Sequence, residues 1–328
     1  MHSTTISIDN FMNNLSESQQ ILLEVYKHFS KFCEENGLIF YAAYGSMIGA
    51  IRHQGFIPWD DDIDVFMLRK DYDKFVELRN TIKDDKYKIS VYLDGKSPYP
   101  FAKFYTTEGT IWEYSQFPFI TGPWIDVFPI DEGDMDDEKA NKALERFHYT
   151  MWKYRKSVAY ASWGEIARDF LHLNFINGGM KLVKKVRYAP FKKKYIKEID
   201  CRLDEIRAIK GKTLRCYSTA LTNEVFEKSW FEKAITVPFE DTTIYVPSGY
   251  HEFLTALYGD YMQLPPVAKR VNHPAYFSDL KHTLTREEIL KEHKDLLVEK
   301  ESMPLKVLWD EIIHRAKGWP RPRPKKKS

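Results

Sequence analysis

The chain is 328 residues long, 43% hydrophobic and 15% aromatic, which is enough apolar material for one large domain or two modest ones. Its longest run without Asp, Glu, Lys or Arg, Gly37 to Ile51, has 15 residues and carries three glycines, so no segment is expected to span a bilayer. The net charge of +2 hides two basic stretches: residues 181–215 hold 13 Lys/Arg against four Asp/Glu and residues 315–327 hold seven against none, leaving the rest at −14.

The first ten residues lack the basic and apolar regions of a signal peptide, so cytoplasmic residence is expected. From Leu15 to Glu35 apolar residues recur at helical spacing, with a Ser at the start and Gly37 just past the end, which predicts a helix. LIFYAAY (38–44) predicts a strand, Gly45-Ser46 a turn, and MIGAIRHQ (47–54) a short helix stopped by Gly55. Ile63 to Leu68 predicts a second strand, and residues 70–82 return to helical spacing. Lys88 to Leu93, Phe101 to Thr106, Thr110 to Trp112 and Trp124 to Phe128 are further strands, which together predict a mixed sheet. From Glu138 to about Gly211 the chain turns helical, aromatic and basic, interrupted by Asn177-Gly178-Gly179 and by Pro190. Thr242 to Val246 predicts a strand, a helix capped by Ser248 ends at Gly259, and a last helix opens with a capping box at Thr285 to Glu288. The closing Pro, Arg and Lys residues predict a disordered basic tail. Cys33, Cys201 and Cys216 form no CxxC pair and no zinc-type cluster, and read as free thiols.

The second strand opens with IPWDDDIDVFML (57–68), four aspartates within five positions running into apolar residues. Like charges this close are costly to desolvate unless a cation or proton compensates them. If residues 62–68 are a strand, Asp62 and Asp64 share one face about 7 Å apart at Cα, while Asp61 takes the other. Asp60 has the same parity but precedes the strand, next to Trp59, and reads as an outer ligand. An all-oxygen set favours Mg²⁺ or Mn²⁺. A calcium loop fails at its sixth position, where Val65 stands in place of glycine, and a solvated acidic turn is the remaining alternative.

Gly45-Ser46, between a strand and a helix, offers free backbone N–H groups to a phosphate oxygen or simply caps the helix. Beside an Asp-x-Asp pair it suits a nucleoside diphosphate, and two-metal phosphoryl transfer calls for one more carboxylate, to hold the second ion or to take the proton from the attacking hydroxyl. Asp126, flanked by Ile125 and Val127 in an apolar strand, is that candidate, with a solvent-facing Asp at a strand edge as the alternative.

Residues 44–75, GPWIDVFPID (122–131) and residues 238–266 closely resemble the LicD family, whose members transfer choline phosphate or polyol phosphate from a CDP-linked donor to a hydroxyl of a cell-surface glycan. The family is similar to fukutin-type ribitol-phosphate transferases, and because the cysteine/histidine zinc element of the fukutin-related proteins is missing here, the bacterial branch is favoured. The resemblance implies an α+β nucleotidyltransferase fold, a mixed sheet flanked by helices, with Gly45 and Ser46 as its Gly-Ser turn, Asp62 and Asp64 as its metal pair and Asp126 as its third carboxylate. With it the chain divides into a catalytic core over 1–137, a helical basic insertion over 138–220, the rest of the core over 221–300, and a C-terminal helix and tail over 301–328.

Around this centre, Arg52 is placed to face donor phosphates, while Lys103 either neutralises the leaving CMP phosphate or snorkels at the surface. Arg270 and His273 are candidates to complete the site from the C-terminal side. A choline head group would need aromatic faces, and Trp59, Trp112 and Trp124 stand near the acidic motifs. The basic stretch alternates charge with apolar residues in a way that suits an anionic membrane surface at the inner face, or else a solvated helix face. No recognition motif accompanies it, so no nucleic-acid partner is expected. The expected function is Mg²⁺-dependent transfer of phosphocholine from CDP-choline to a glycan or lipid-linked glycan, with CDP-ribitol or CDP-glycerol as alternative donors. A non-catalytic glycan- or membrane-binding protein on a degenerate transferase fold is the reading of another class.

Overall fold

A computed structural model describes residues 15–134, 136–159, 161–218, 225–270, 275–293 and 296. Helix α1 (Glu17–Glu35) starts where the Ser16 hydroxyl accepts from the Gln19 N–H in a capping box, and the chain turns away after it at Gly37, whose φ of +60° suits glycine. Its apolar row, Leu22, Val25, Tyr26, Phe29 and Cys33, is buried against the sheet.

The main sheet has the order β1-β2-β6-β4-β3, from β1 (Tyr41–Ala42), β2 (Ile63–Leu68), β3 (Tyr87–Ser90), β4 (Ala102–Thr106) and β6 (Trp124–Glu132). β2 and β6 run parallel and the other pairs along this path are antiparallel, giving the mixed α+β sheet expected. β5 (Thr110–Trp112) pairs with the later β11 (Phe277–Asp279) in a separate ribbon. β2 reads as almost continuously apolar because it is covered on both faces: Ile63, Val65, Phe66 and Met67 are all buried.

Several boundaries differ from the sequence reading. The strand predicted at 38–44 shrinks to Tyr41–Ala42, and Gly45-Ser46 is no turn but the first turn of helix α2 (Tyr44–Ile48), which runs on into a π-helical turn over Gly49–His53. Tyr44 accomplishes the change of direction in the left-handed region, at φ 45°, held by packing of its ring on Phe66 and Phe128. β6 extends four residues past Phe128, where β7 (Thr213–Arg215) pairs with Asp131 and Glu132 and β8 (Val225–Glu227) pairs with β7. The strand predicted at 88–93 ends at Ser90 and gives way to a 3₁₀ turn over Tyr92–Asp94.

α3 (Arg69–Glu77) follows β2 directly, and α4 (Glu138–Val158) follows β6, capped by Asp137. α5 (Trp163–Leu171) and α6 (Phe175–Val183) form a hairpin, and α6 continues through Asn177-Gly178-Gly179 rather than breaking there. α7 (Lys192–Arg207) returns along α4, burying Tyr195, Ile199, Leu203 and Ile206 with Leu144, Phe147, Met151 and Tyr154. β9 (Ala234–Phe239), which the sequence reading did not identify, pairs with β10 (Thr242–Pro247) in a hairpin turned by Glu240 at φ 53°. α8 (Tyr250–Tyr258) is capped by Gly249, not Ser248, whose hydroxyl donates to the Trp230 carbonyl. α9 (Arg286–Glu292) opens with the expected capping box at Thr285.

By compactness the chain divides into residues 1–160 with 184–284, and 161–183 with 285–328. The composition boundaries at 138 and 220 are not those of this division: α4 and α7 share a core inside the first unit, because their apolar rows face each other, while the α5–α6 hairpin belongs to the second with residues 285–328. Residues 301–328, read as a C-terminal helix and tail, lie outside the described residues. None of the three cysteines forms a disulfide, and none of the described helices is long and apolar enough to cross a membrane.

Candidate active site

Strand pairing builds the centre of the site. Asp64 on β2 is the register partner of Asp126 on β6, and Asp126 is the partner of Lys103 on β4. Register partners point to the same face of a sheet, so the three side chains form one row across adjacent strands about 4.8 Å apart. Asp126 sits in the middle. Its Oδ1 lies 2.8 Å from Lys103 Nζ, which in turn lies 3.2 Å from Glu113 Oε2, while Tyr99 donates its hydroxyl to the same Glu113 oxygen at 2.6 Å. The lysine is wholly buried, so the snorkelling alternative is wrong. Its ammonium stands over the rings of Trp124 at 4.0 Å and Tyr99 at 4.4 Å.

The acidic loop lies at the N-terminal end of β2. Asp60, Asp61 and Asp62 each present one oxygen within 4.8 Å of the others. Asp61 therefore does not take the opposite face: these three residues precede the strand, where side-chain alternation does not apply. Buried Gln19 of α1 holds the loop, its Nε2 donating to the carbonyls of Asp60 at 2.9 Å and Ile57 at 3.3 Å. An all-carboxylate set of this kind can hold a hard divalent cation.

The Gly-Ser element meets the acidic loop closely. Ser46 is buried and its hydroxyl accepts the Asp64 N–H at 2.8 Å, so it props the start of β2. A Cβ at Gly45 would come within 2.9 Å of Asp60 Oδ2, so only glycine leaves that carboxylate its place. The crowding is visible in the charges. Burial first, then Asp62, Asp126 and Asp60, push the Asp64 carboxyl well above the usual carboxylate range. Burial likewise pushes Asp126 up to about 6 against the pull of Lys103, with Glu113 and Asp62 adding to the rise. Asp62 is thus felt by both strand aspartates.

The outer residues are more dispersed. Arg52 Nη1 donates to the carbonyls of Tyr261 at 2.7 Å and Gln263 at 3.3 Å, and its Nε to His53 Nε2 at 2.9 Å, so this guanidinium ties down the segment after α8. Burial and then nearby Arg270 lower its pKa. Arg270 stacks over Trp59 at 4.9 Å and donates to the Pro265 carbonyl, which brings a cation to the residue just before Asp60. His273 lies outside the described residues. The aromatic faces expected for a quaternary ammonium are otherwise engaged: Trp124 covers Lys103, Trp59 covers Arg270, and Trp112 is buried with its indole N–H on the Phe117 carbonyl.

Comparison with known proteins bears directly on this arrangement. Residues 37–161 match the family model described as "LicD/FKTN/FKRP, nucleotidyltransferase domain". The chain is 31% identical over 267 residues to "Lipopolysaccharide cholinephosphotransferase LicD" of Haemophilus influenzae, spanning 79% of this chain and 95% of that protein. The chain belongs to the LicD family. Shorter matches, 30% identical over 76 residues and 34% over 50, join it to uncharacterised proteins of Rickettsia typhi and Rickettsia prowazekii, covering 23% and 15% of this chain and 25% and 19% of theirs.

As a LicD-family phosphotransferase the chain is an enzyme, and the family-model match spans Gly45, Ser46, Asp60 to Asp64, Lys103 and Asp126, while Arg270 lies beyond it. Sequence reasoning passed over Asp61 as a ligand, Gln19, Tyr99 and Glu113. Gln19 carried no signal beyond its place in a capping box, and Glu113 none at all, since a charge just after a three-residue strand looks solvent-facing. A cavity of about 410 Å³ lined by Arg69, Tyr72, Asp73, Asp200 and Arg207 lies at the other end of β2; Asp73 pairs with both arginines, and Arg69 also pairs with Asp131.

Proposed function

We propose that this LicD-family enzyme transfers phosphocholine from CDP-choline to a hydroxyl of a cell-surface glycan or its lipid-linked precursor, with Mg²⁺ or Mn²⁺ as cofactor. The observation that carries the reading is the meeting of Asp60, Asp61, Asp62, Asp64 and Asp126 beside Gly45 and Ser46. The head group and the glycan follow the activity that the name of the Haemophilus influenzae relative states.

In this scheme Asp60 to Asp62 and Asp64 hold the cation. When bound, it supplies positive charge to the donor's diphosphate oxygens. Asp126, with Oδ1 turned to Lys103, offers Oδ2 to the proton of the acceptor hydroxyl. The hydroxyl oxygen forms the new bond to the choline-bearing phosphorus, the bond from that phosphorus to CMP breaks, and the proton passes to Asp126. Arg270, stacked on Trp59, meets the departing phosphate. The site thereby aligns donor and acceptor, the dominant contribution in phosphoryl transfer.

A second donor class keeps a place for one reason: Trp59, Trp112 and Trp124 are already engaged, which leaves a polyol phosphate from CDP-ribitol or CDP-glycerol as the competing reading. Incubation with CDP-choline, CDP-ribitol and CDP-glycerol, with a lipopolysaccharide acceptor and Mg²⁺, separates the two by CMP release. Release with CDP-choline supports the first reading; release only with a polyol donor overturns it.

A further inference from the structure

We propose that the α5–α6 hairpin is a docking element for an anionic lipid bilayer, a role separate from the catalytic chemistry. Around the turn between the two helices the chain exposes Leu171 at 82%, Leu173 at 74% and Phe175 at 57%, and Val183 is half exposed along α6. Soluble surfaces carry scattered apolar side chains, whereas four large ones on one short hairpin mark an interaction surface.

The exposure is built in. Lys181 Nζ pairs with Asp169 Oδ2 at 2.6 Å across the two helices, and Gly178 lets them approach so closely that a Cβ there would lie 3.1 Å from the Phe170 ring. Leu173 takes a left-handed φ of 58° in a turn closed by Asn174 N–H to the Asp169 carbonyl at 2.7 Å. The Leu173 N–H also donates to the Phe170 carbonyl at 3.1 Å, so these turn donors are satisfied within the chain and add no cost on entry into an apolar phase.

Charge selects the partner. From the hairpin the chain passes directly into residues 184–197, which hold seven Lys/Arg and no Asp or Glu, with Arg187, Lys193 and Lys197 exposed. Val186 and Phe191 in the same run are also exposed. Apolar side chains suited to the acyl boundary, followed next along the chain by a run of cations suited to lipid phosphates, are the pattern of a peripheral membrane element.

The test is sedimentation of the full chain with vesicles of phosphatidylcholine alone or of phosphatidylcholine with phosphatidylglycerol, which needs no substrate and so stands apart from the donor assay. Wild type is expected to sediment with the anionic vesicles and to be released by salt. Leu171→Ser with Leu173→Ser and Phe175→Ser should weaken binding about tenfold or more, as should Arg187→Ser with Lys193→Ser and Lys197→Ser, while CMP release with a water-soluble acceptor is unchanged. Leu173→Trp supplies a readout in an otherwise intact chain: its fluorescence should shift to the blue with anionic vesicles. No sedimentation of wild type, equal binding by the apolar variant, or a variant that alters only the oligomeric state would each overturn the proposal, the last by assigning the surface to a second copy.

Discussion

Asp126 lies between a carboxylate and a buried lysine, and that position makes its titration informative. Its folded pKa of about 6 exceeds the ordinary 3.8, so the folded state keeps a proton that the unfolded chain has lost. Below pH 4 both states are protonated and the term vanishes. As pH rises from about 4 to 6 the folded state loses stability relative to Asp126→Asn, by roughly 2 to 3 kcal/mol, and the difference then levels off. Urea melts of both proteins in EDTA between pH 4 and 8 measure it, and parallel profiles would contradict the assignment. Lys103→Met leaves Asp126 and Glu113 facing each other without their buried cation, which should cost about 3 to 5 kcal/mol, read as a fall in Tm. For Asp62→Asn the expected result is a loss of turnover of about 10³-fold or more with the far-UV circular dichroism preserved; near-normal turnover would remove the acidic loop from the mechanism.

Two elements present the acidic loop, one by tethering and one by making room. α1 acts through Gln19, whose amide is buried and bonded to two loop carbonyls. Gln19→Leu should destabilise by about 1 to 3 kcal/mol, since it strips donors from those carbonyls. α2 acts through Gly45, and Gly45→Ala should weaken Mg²⁺ binding by about 10- to 100-fold, because the new methyl group displaces the Asp60 carboxylate. Calorimetric titration of Mg²⁺ reads the second effect, and unchanged affinity would show that Asp60 can relax elsewhere. These elements also show where local signals stop. The ends of α1 were legible because capping chemistry is local, as was β2, whose apolar run is bounded by charge. The start of α2 was not. A tyrosine in the left-handed region has no sequence signature, since only the packing of its ring on Phe66 and Phe128 holds it there.

For the molecule as a whole, a ligand that binds only the folded state raises stability by mass action, about 2.7 kcal/mol at a hundredfold excess over Kd. Mg²⁺ should therefore raise the Tm of the wild type and leave that of Asp62→Asn almost unmoved, and EDTA should abolish the difference. An equal rise in both would place the ion elsewhere. At this scale the basic helical stretch, read from composition as one insertion, is shared between the two compact units. Composition changes at Glu138, but burial does not follow composition: α4 and α7 complete a core of the first unit, and α5 and α6 stand in the second.

Much of this protein is written in its sequence, because caps, strand alternation, the aspartate cluster and the family motifs are all short-range patterns. Those were enough to indicate an α+β transferase and to single out Asp62, Asp64 and Asp126. Only the tertiary structure decided who stands beside whom: that β2 pairs in parallel with β6 so that Asp64 meets Asp126, that β4 delivers Lys103 to the same row, and that the tryptophans near the acids already cover Lys103 and Arg270. The physical reason is that strand pairing and register follow from how the buried faces pack together, and a local stretch of chain carries no record of which distant strand will lie against it.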